Sequence, residues 1–215
     1  HAYRLQRAFV DVLPGKIIGY KAALTAPVAQ ASMGIDRPVM GVLFDWGRID
    51  AGSTLAPARR IILETELGFR ISRAIDSHVT PATVPGLIAS VSPMIEIAAP
   101  NLVAKSTGID LIATNAASYQ HIEGMRADPA SIDVDGINAA LSRDGEVLHN
   151  ASSSTVMQGQ WISLAWLINQ IVDLKYALQP GMLLMTGAIG APQPAKTGSY
   201  RADFTGLGSI AFEVP

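Results

Sequence analysis

The sequence contains no cysteine among its 215 residues. That absence excludes disulfide bonds, thiolate nucleophiles and sulfur-ligated zinc, so any metal would have to be bound by oxygen or imidazole. Charged residues are also scarce, at 16% of the chain, and the formal net charge is only -2. Because the lysines and arginines are dispersed and form no basic stripe, the sequence does not indicate nucleic-acid binding.

Long apolar runs are missing as well. No stretch of about 18 apolar residues occurs, which excludes a membrane-spanning helix, and Arg4 and Arg7 make the start unlike a signal peptide. We therefore expect a soluble, cytoplasmic protein. Hydrophobic residues make up 49% of the chain, so we expect residues 1–215 to form a single domain around one core. The chain begins inside a helical pattern, and we expect an N-terminal helical segment to lie outside it.

The apolar spacing predicts helices and strands without a regular strand–helix–strand rhythm. Helices are predicted over 2–12, 26–33, 85–91 and 160–178, the last ending at Pro180-Gly181. Strands are predicted in a segment ending near Lys21, over 40–44, 61–71 and 94–99, on both sides of Asp144-Gly145, and in three segments after residue 181. This mixture predicts an α+β fold with curved, mostly antiparallel sheets.

Glu64 and Glu66 are separated by a single residue in ETELGFRI (64–71), an otherwise largely apolar run. In a strand the side chains alternate, so both carboxylates would point to the same face. A solvated strand face would explain the pair, because antiparallel sheets often expose polar residues. A divalent-cation site is the alternative. Residues two apart on a strand are separated by roughly 6.5 to 7 Å, and a cation relieves the repulsion between two carboxylates.

Glu96 and Lys21 are further candidates, each with a structural alternative. Glu96 lies between Ile95 and Ile97, so it is either buried with a partner or placed on a surface strand. With the two preceding glutamates it would supply three oxygen donors, a set that suits Mg²⁺. Lys21 is either a surface lysine with its stem along apolar neighbours or a cation that binds a substrate carboxylate or assists proton transfer.

Other motifs are weak. The four histidines form no metal-binding pair, and we interpret each as exposed or hydrogen-bonded; they are His1, His78, His121 and His149. His121, in YQHIEG, is the one that merits examination. No G-x-S-x-G elbow occurs, and Lys196-Thr197 follows alanine rather than the glycine of a phosphate-binding loop. We interpret GLGS (206–209) as a turn.

Several blocks spread over almost the whole chain carry a resemblance when taken together. They are GYKAALT (19–25), MGIDRPVMGVLF (33–44), ETELGF (64–69), IEIA (95–98), IATNAAS (112–118), LAWLINQI (164–171), LQPGMLLMTGAIG (178–190) and FTGLGSIAFEV (204–214). In this order they resemble the 2-keto-4-pentenoate hydratase family of the fumarylacetoacetate hydrolase superfamily. That family includes 2-oxohept-4-ene-1,7-dioate hydratases and 4-oxalocrotonate decarboxylases.

The resemblance implies a mixed β-roll of curved sheets with flanking helices, like the C-terminal domain of fumarylacetoacetate hydrolase. It also implies a Mg²⁺ or Mn²⁺ cofactor and an oligomer, built from this chain alone or with a pathway relative. By position it assigns the metal ligands to Glu64, Glu66 and Glu96. It places in the substrate pocket Lys21, Leu24, Thr186 and Gly187, with Lys21 as the catalytic residue.

The chain departs from the family at several positions. Val39 stands where hydratases commonly have an acidic residue, Ala117 where they have a serine, and Pro100-Asn101 where a Ser-Arg pair is usual. Ser118 is adjacent to Ala117 but would point elsewhere in an extended segment. The metal ligands are thus retained while acid–base positions are altered, and the apolar residue at Val39 is closer to the decarboxylase branch.

Three functions remain open. The leading hypothesis is a metal-dependent lyase of 2-hydroxydienoates or 2-oxoalkenoates from aromatic-ring cleavage, with hydratase ahead of decarboxylase. In either reaction the metal would chelate the 1-carboxylate and 2-oxygen, and Lys21 would transfer a proton. The second is a C–C hydrolase of acylpyruvates, weakened because the first half lacks an evident catalytic His-Glu pair. The third is a non-catalytic subunit that retains the fold.

Overall fold

Two β-sheets and four helices make up the part of the chain that the computed structural model describes, residues 1–55, 60–100, 102 and 106–215. The helices are α1 (Ala2–Val12), α2 (Pro27–Ser32), α3 (Gly108–Ala113) and α4 (Gln160–Asp173). The strands are β1 (Ile17–Ala23), β2 (Val39–Phe44), β3 (Arg48–Ile49), β4 (Ile62–Ile71), β5 (Ile88–Ala98), β6 (Gln120–Glu123), β7 (Asn138–Arg143), β8 (Glu146–Ser152), β9 (Leu183–Met185), β10 (Ile189–Pro194), β11 (Gly198–Phe204) and β12 (Gly208–Val214).

The larger sheet has eight strands. Its path is β2-β1-β9-β4-β5-β6-β3, and β10 pairs with β4 beside that path. The smaller sheet has the order β12-β11-β7-β8. Strand pairs are antiparallel except β1–β9 and β3–β6, so the predicted α+β fold with mostly antiparallel sheets is confirmed.

The core lies between the sheets and α4. Leu164, Leu167, Ile168 and Ile171 of α4 are buried in the same apolar cluster as residues of β4 and β5. Side chains on both faces of β4 are largely buried. This is unusual for an antiparallel strand whose sequence contains several polar residues. None of the helices in the described residues is both long enough and apolar enough to cross a membrane.

The helix predicted over 85–91 is wrong. A short 3-10 turn spans Val84–Leu87, and β5 begins at Ile88, well before the predicted start at residue 94. Pro93 disfavours helical backbone in the residue before it, and the strand pairs with nearly the full length of β4. Tertiary pairing therefore overrides the local helical pattern.

The long helix α4 ends at Asp173 rather than running to residue 178. Lys175 takes a left-handed conformation (φ 59°), its N–H donates to Val172 O, and the N–H of Tyr176 donates to Ile171 O. These two bonds form a Schellman motif. The guanidinium of Arg7 in α1 donates to Leu174 O at 2.9 Å, which satisfies a free carbonyl at the helix end and stabilises the dipole there.

Other sequence predictions are confirmed with small changes of bounds. The hairpin turn at Asp144-Gly145 has both residues at positive φ, as a two-residue hairpin turn requires. The first strand continues two residues beyond Lys21, to Ala23. The segment around Ala117 is not extended, because α3 and a 3-10 turn span most of 108–117. Asn101 lies outside the described residues.

Candidate metal centre

Three glutamates meet on one face of the larger sheet. Glu64 and Glu66 are two apart on β4, and their side chains share a face because a strand alternates. Glu96 on β5 is the direct antiparallel partner of Glu64, and directly opposed residues point the same way. One carboxylate oxygen from each residue lies within 4.8 Å of those of the other two. The fold thus brings together the three carboxylates that the sequence singles out.

Two of these carboxylates are fully buried. Glu66 is 0% exposed and Glu96 is 1% exposed, whereas Glu64 is half-buried. The solvated-face interpretation is therefore wrong for Glu66, and the surface-strand interpretation is wrong for Glu96. Within the described residues, Glu66 Oε1 and Glu96 Oε2 have no hydrogen-bond partner.

A buried carboxylate oxygen without a partner is costly, and native structures rarely leave one so. A hard divalent cation bound between the three residues would satisfy both free oxygens at once. The donor set consists of carboxylate oxygens only, which is the type that Mg²⁺ and Mn²⁺ prefer. The residues present therefore fit a divalent cation.

The protonation of the cluster reflects burial and like charge. Burial, followed by the charge of Glu96, raises the pKa of Glu64 to about 7, while Lys21 opposes the shift. Burial and the charges of Glu96 and Glu64 raise the pKa of Glu66 well above its ordinary value. Without a cation, the three carboxylates thus resist being ionised together.

Lys21 completes the cluster. Its side chain is 2% exposed and its ammonium forms an ion pair with Glu96 Oε1, so the surface-lysine interpretation is wrong. Burial lowers the Lys21 pKa, but the charges of the three glutamates and the hydrogen bond to Glu96 together outweigh burial, and the net shift is upward. Lys21 is therefore an ammonium at neutral pH and has a proton to give.

The turn after β9 also reaches the cluster. The N–H of Gly187 donates to Glu66 Oε2 at 2.9 Å, which leaves Oε1 of that carboxylate free. Gly187 has φ +107°, and a Cβ there would lie 2.5 Å from Thr25 Cγ2. Only glycine fits this close approach to the segment after β1. Thr186 beside it is completely buried.

Leu24 lies at the end of β1 in a left-handed conformation (φ 52°). It packs against the small apolar cluster of Val39, Ile112 and Ala116. Val39 is buried in that cluster, so the position where the resemblance implies an acidic residue is a buried apolar contact. The resemblance implies four pocket residues. Among the described contacts, Lys21 forms an ion pair with Glu96 and the N–H of Gly187 donates to Glu66, so these two residues contact the glutamates directly.

Two residues that sequence reasoning missed shape the surroundings of Lys21. Asn115 accepts from Val42 N at 2.7 Å and donates to Val42 O at 2.9 Å, fixing the 115–117 turn against β2. A Cβ on Gly41 would lie 2.9 Å from Asn115 O and 3.1 Å from Lys21 Cε. Three consecutive residues, 115–117, have positive φ; asparagine is a residue type that tolerates this conformation, whereas the two alanines that follow do not signal it. Ser118 donates to Val42 O at 2.9 Å, so its hydroxyl is directed at backbone.

His121 is the direct strand partner of Glu96 on β6 and is almost completely buried. Burial lowers its pKa to about 4, so the ring is neutral at pH 7. Its Nε2 has no hydrogen-bond partner within the described residues, which contradicts the expectation of an exposed or hydrogen-bonded ring. The carboxylate cluster defined above does not include His121.

The chain is similar in sequence to several characterised proteins. No protein-family model matches it. It is 27% identical over 204 residues to the 2-keto-4-pentenoate hydratase of Paraburkholderia xenovorans, covering 92% of this chain and 76% of that protein. It is 28% identical over 225 residues to the 2-oxo-hept-4-ene-1,7-dioate hydratase of Escherichia coli, covering 98% and 84%. The 4-oxalocrotonate decarboxylase of Pseudomonas sp. strain CF600 is 26% identical over 204 residues, covering 91% and 76%.

Solved structures agree. The 4-oxalocrotonate decarboxylase from Pseudomonas putida G7, complexed with magnesium and adipate, superposes with a TM-score of 0.92 at 25% identity, over 100% of this chain and 85% of that one. The chain is thus similar over nearly its whole length to named hydratases and decarboxylases. A fumarylpyruvate hydrolase from Pseudomonas aeruginosa, in complex with Mn²⁺ and pyruvate, has a TM-score of 0.70 at 13% identity, covers 94% and 90%, and shares the fold. These similarities support an enzyme, and the chain has the fold of the fumarylacetoacetate hydrolase superfamily.

Proposed function

We propose that the chain is a divalent-metal-dependent hydratase that acts on a 2-hydroxydienoate or its 2-oxoalkenoate tautomer, derived from aromatic-ring cleavage. The observation that carries the proposal is the buried cluster of three carboxylates, two of them with a free oxygen, next to a buried ammonium. The names of the hydratase relatives support the substrate class.

Glu64, Glu66 and Glu96 would hold Mg²⁺ or Mn²⁺. The solved relatives named above contain magnesium in one case and Mn²⁺ in the other, and the oxygen-only donor set suits either ion. Bound there, the cation would supply Lewis acidity and a template for the 1-carboxylate and 2-oxygen of the substrate. The Gly187 N–H orients Glu66 by occupying Oε2 and leaving Oε1 for the metal.

Lys21 is the proposed proton-transfer residue. Its ammonium is buried and held by Glu96, so it keeps a fixed position while donating a proton from Nζ. In the hydratase reaction that proton goes to C5 of the 2-hydroxydienoate, while the 2-hydroxyl loses its own proton and becomes the 2-oxo group of the 3-enoate. Water then adds its oxygen at C4 and a proton at C3. The apolar contact at Val39 offers no base for the water.

Decarboxylation is the second candidate, and two observations favour it. Val39 is apolar and buried, and the decarboxylase from Pseudomonas putida G7 superposes over the entire chain. In that reaction CO₂ leaves the substrate, and the electron pair remains on a dienolate that is stabilised through the 2-oxygen. Lys21 would then supply the proton that quenches the dienolate.

One pair of assays separates these functions. The purified protein with Mg²⁺ is incubated with 2-hydroxypenta-2,4-dienoate or with 2-oxohex-3-enedioate, and dienol absorbance and released CO₂ are followed together. Loss of dienol absorbance without CO₂ identifies a hydratase, and release of CO₂ identifies a decarboxylase. No change with either substrate, together with cleavage of an acylpyruvate, would indicate the hydrolase. Inertness toward all three would favour the non-catalytic subunit.

A further inference from the structure

A chain of fully buried polar groups connects the start of α4 to the carboxylate cluster. The Thr186 hydroxyl lies 2.6 Å from Gln160 Oε1, and the Gln160 amide nitrogen donates to Ser153 O at 2.7 Å. All three residues are 0% exposed. Thr186 immediately precedes Gly187, whose N–H donates to Glu66.

The orientation of the Gln160 amide follows from its neighbours. Ser153 O is a carbonyl and can only accept, so the NH₂ group of Gln160 must face it. Oε1 therefore faces Thr186, and the Thr186 hydroxyl must donate to it. The alternative acceptor for that hydroxyl, Leu67 O, is farther away at 3.3 Å. The hydrogen bonds thus run in one direction, from Thr186 through Gln160 to Ser153.

Thr186 is held at three points by its surroundings. Its hydroxyl is bound by Gln160, its carbonyl accepts from Ser163 Oγ at 2.7 Å, and its N–H donates to Leu67 O at 3.2 Å. Two of these three partners belong to the first turn of α4. The start of the helix is fixed in turn, because the N–H of Gln160 donates to Asp135 at 2.6 Å.

This arrangement determines where the next N–H points. Gly187 follows Thr186 directly, so rotation of the Thr186 backbone would swing the Gly187 N–H away from Glu66 Oε2. Buried hydrogen-bond networks that are fully satisfied rigidify the groups they connect. Residues that orient metal ligands without touching the metal commonly matter for metal affinity.

We infer that Gln160 is a positioning residue for the metal ligand Glu66, acting through the Thr186-Gly187 turn. It does not touch the reacting atoms. The inference rests on the proposed metal-binding role of the three glutamates. Gln160→Leu removes the acceptor for the Thr186 hydroxyl and the donor for Ser153 O, so the turn loses one of its three supports.

The test measures cation binding directly. Mn²⁺ is titrated calorimetrically into the metal-free protein, and the Kd is compared between wild type, Gln160→Leu and Thr186→Val. We expect both variants to bind Mn²⁺ roughly ten- to a hundredfold more weakly. The double variant should be no weaker than the worse single one, because both changes break the same chain. Thr186→Ser, which keeps the hydroxyl, should restore most of the affinity.

Asn169→Leu is the matched control on the same helix. Asn169 makes two hydrogen bonds, with Val79 N and Val79 O, at 2.8 and 3.0 Å, and none with the chain described here. Asn169→Leu should lower the free energy of unfolding by an amount comparable to Gln160→Leu and keep the wild-type Kd for Mn²⁺. If Gln160→Leu does not fold, Thr186→Val carries the same prediction with a smaller change. Equal affinity in wild type, Gln160→Leu and Thr186→Val would overturn the inference alone, whereas no Mn²⁺ binding by wild type would overturn the proposed function.

Discussion

Glu64 and Glu96 lie directly opposite each other across the β4–β5 pair. Opposed residues have Cβ atoms about 4.5 to 5.5 Å apart, and like charges in such a pair are destabilising. Lys21 neutralises only part of this charge, because it is bound to Glu96. In the metal-free chain the cluster therefore either keeps this repulsion or binds protons to relieve it, and binding of a cation would stabilise the fold.

Glu66→Gln tests that relationship. The amide oxygen can still accept from Gly187 N–H, while one negative charge is removed from a buried cluster. We expect the metal-free variant to be at least as stable as wild type but to gain nothing from Mg²⁺. Wild type should gain about 2.7 kcal/mol at a hundredfold excess over Kd. Thermal unfolding with and without Mg²⁺ measures both effects. An unchanged turnover rate in the variant would refute the metal assignment.

Lys21→Met tests the proton-transfer role. The variant keeps the length of the buried stem but loses the ammonium, leaving Glu96 Oε1 without its partner. We expect kcat/KM to fall about a hundredfold, mainly through kcat, because general acids typically contribute that much. Lys16→Met is the control, since Lys16 is exposed and should leave the kinetics unchanged. A loss smaller than about threefold, under 1 kcal/mol, would contradict the role.

Gly41→Ala tests the packing around Lys21. A Cβ there would lie 2.9 Å from Asn115 O, which is backbone and cannot move cheaply, and 3.1 Å from Lys21 Cε. We expect a loss of about 1 to 3 kcal/mol in the free energy of unfolding, together with lower activity because Lys21 is displaced. Gly86→Ala is the control, because a Cβ there meets nothing within 4 Å. Urea unfolding of both variants gives the comparison, and equal midpoints would contradict the prediction.

Glu123 provides a pH test away from the metal ligands. Its burial raises the pKa, but hydrogen bonds from Arg70 and Arg126 outweigh burial and lower the pKa to about 2. The folded-state pKa of Glu123 lies below the ordinary value of 4.5. The ionised carboxylate therefore stabilises the folded protein, and this stabilisation is complete above about pH 5. It is lost as the pH falls toward 2.

We therefore expect Glu123→Gln to lower the free energy of unfolding by about 2 kcal/mol at pH 7. This figure allows for the partial exposure of Arg126. The difference from wild type should shrink steadily below pH 4.5. Urea unfolding at pH 7, 5 and 3.5 measures it. A difference that stayed constant with pH would show that the ion pairs do not cause the loss.

Local pattern predicted much of the architecture. The helix over 2–12, the strand at 40–44 and the hairpin at Asp144-Gly145 depend on side-chain period and turn residues, which are properties of short segments. The end of α4 was not predictable in the same way. A lysine in a left-handed conformation closes the helix, and the sequence points instead to the later Pro180-Gly181.

The sequence by itself determined that Glu64 and Glu66 share a face, because alternation along a strand depends only on the extended backbone. The tertiary structure alone decided that Glu96 stands opposite Glu64, that Lys21 is buried against it, and that the Gly187 N–H reaches Glu66. Those relationships join segments far apart in the chain. They depend on strand register and close packing, which no local run of residues specifies.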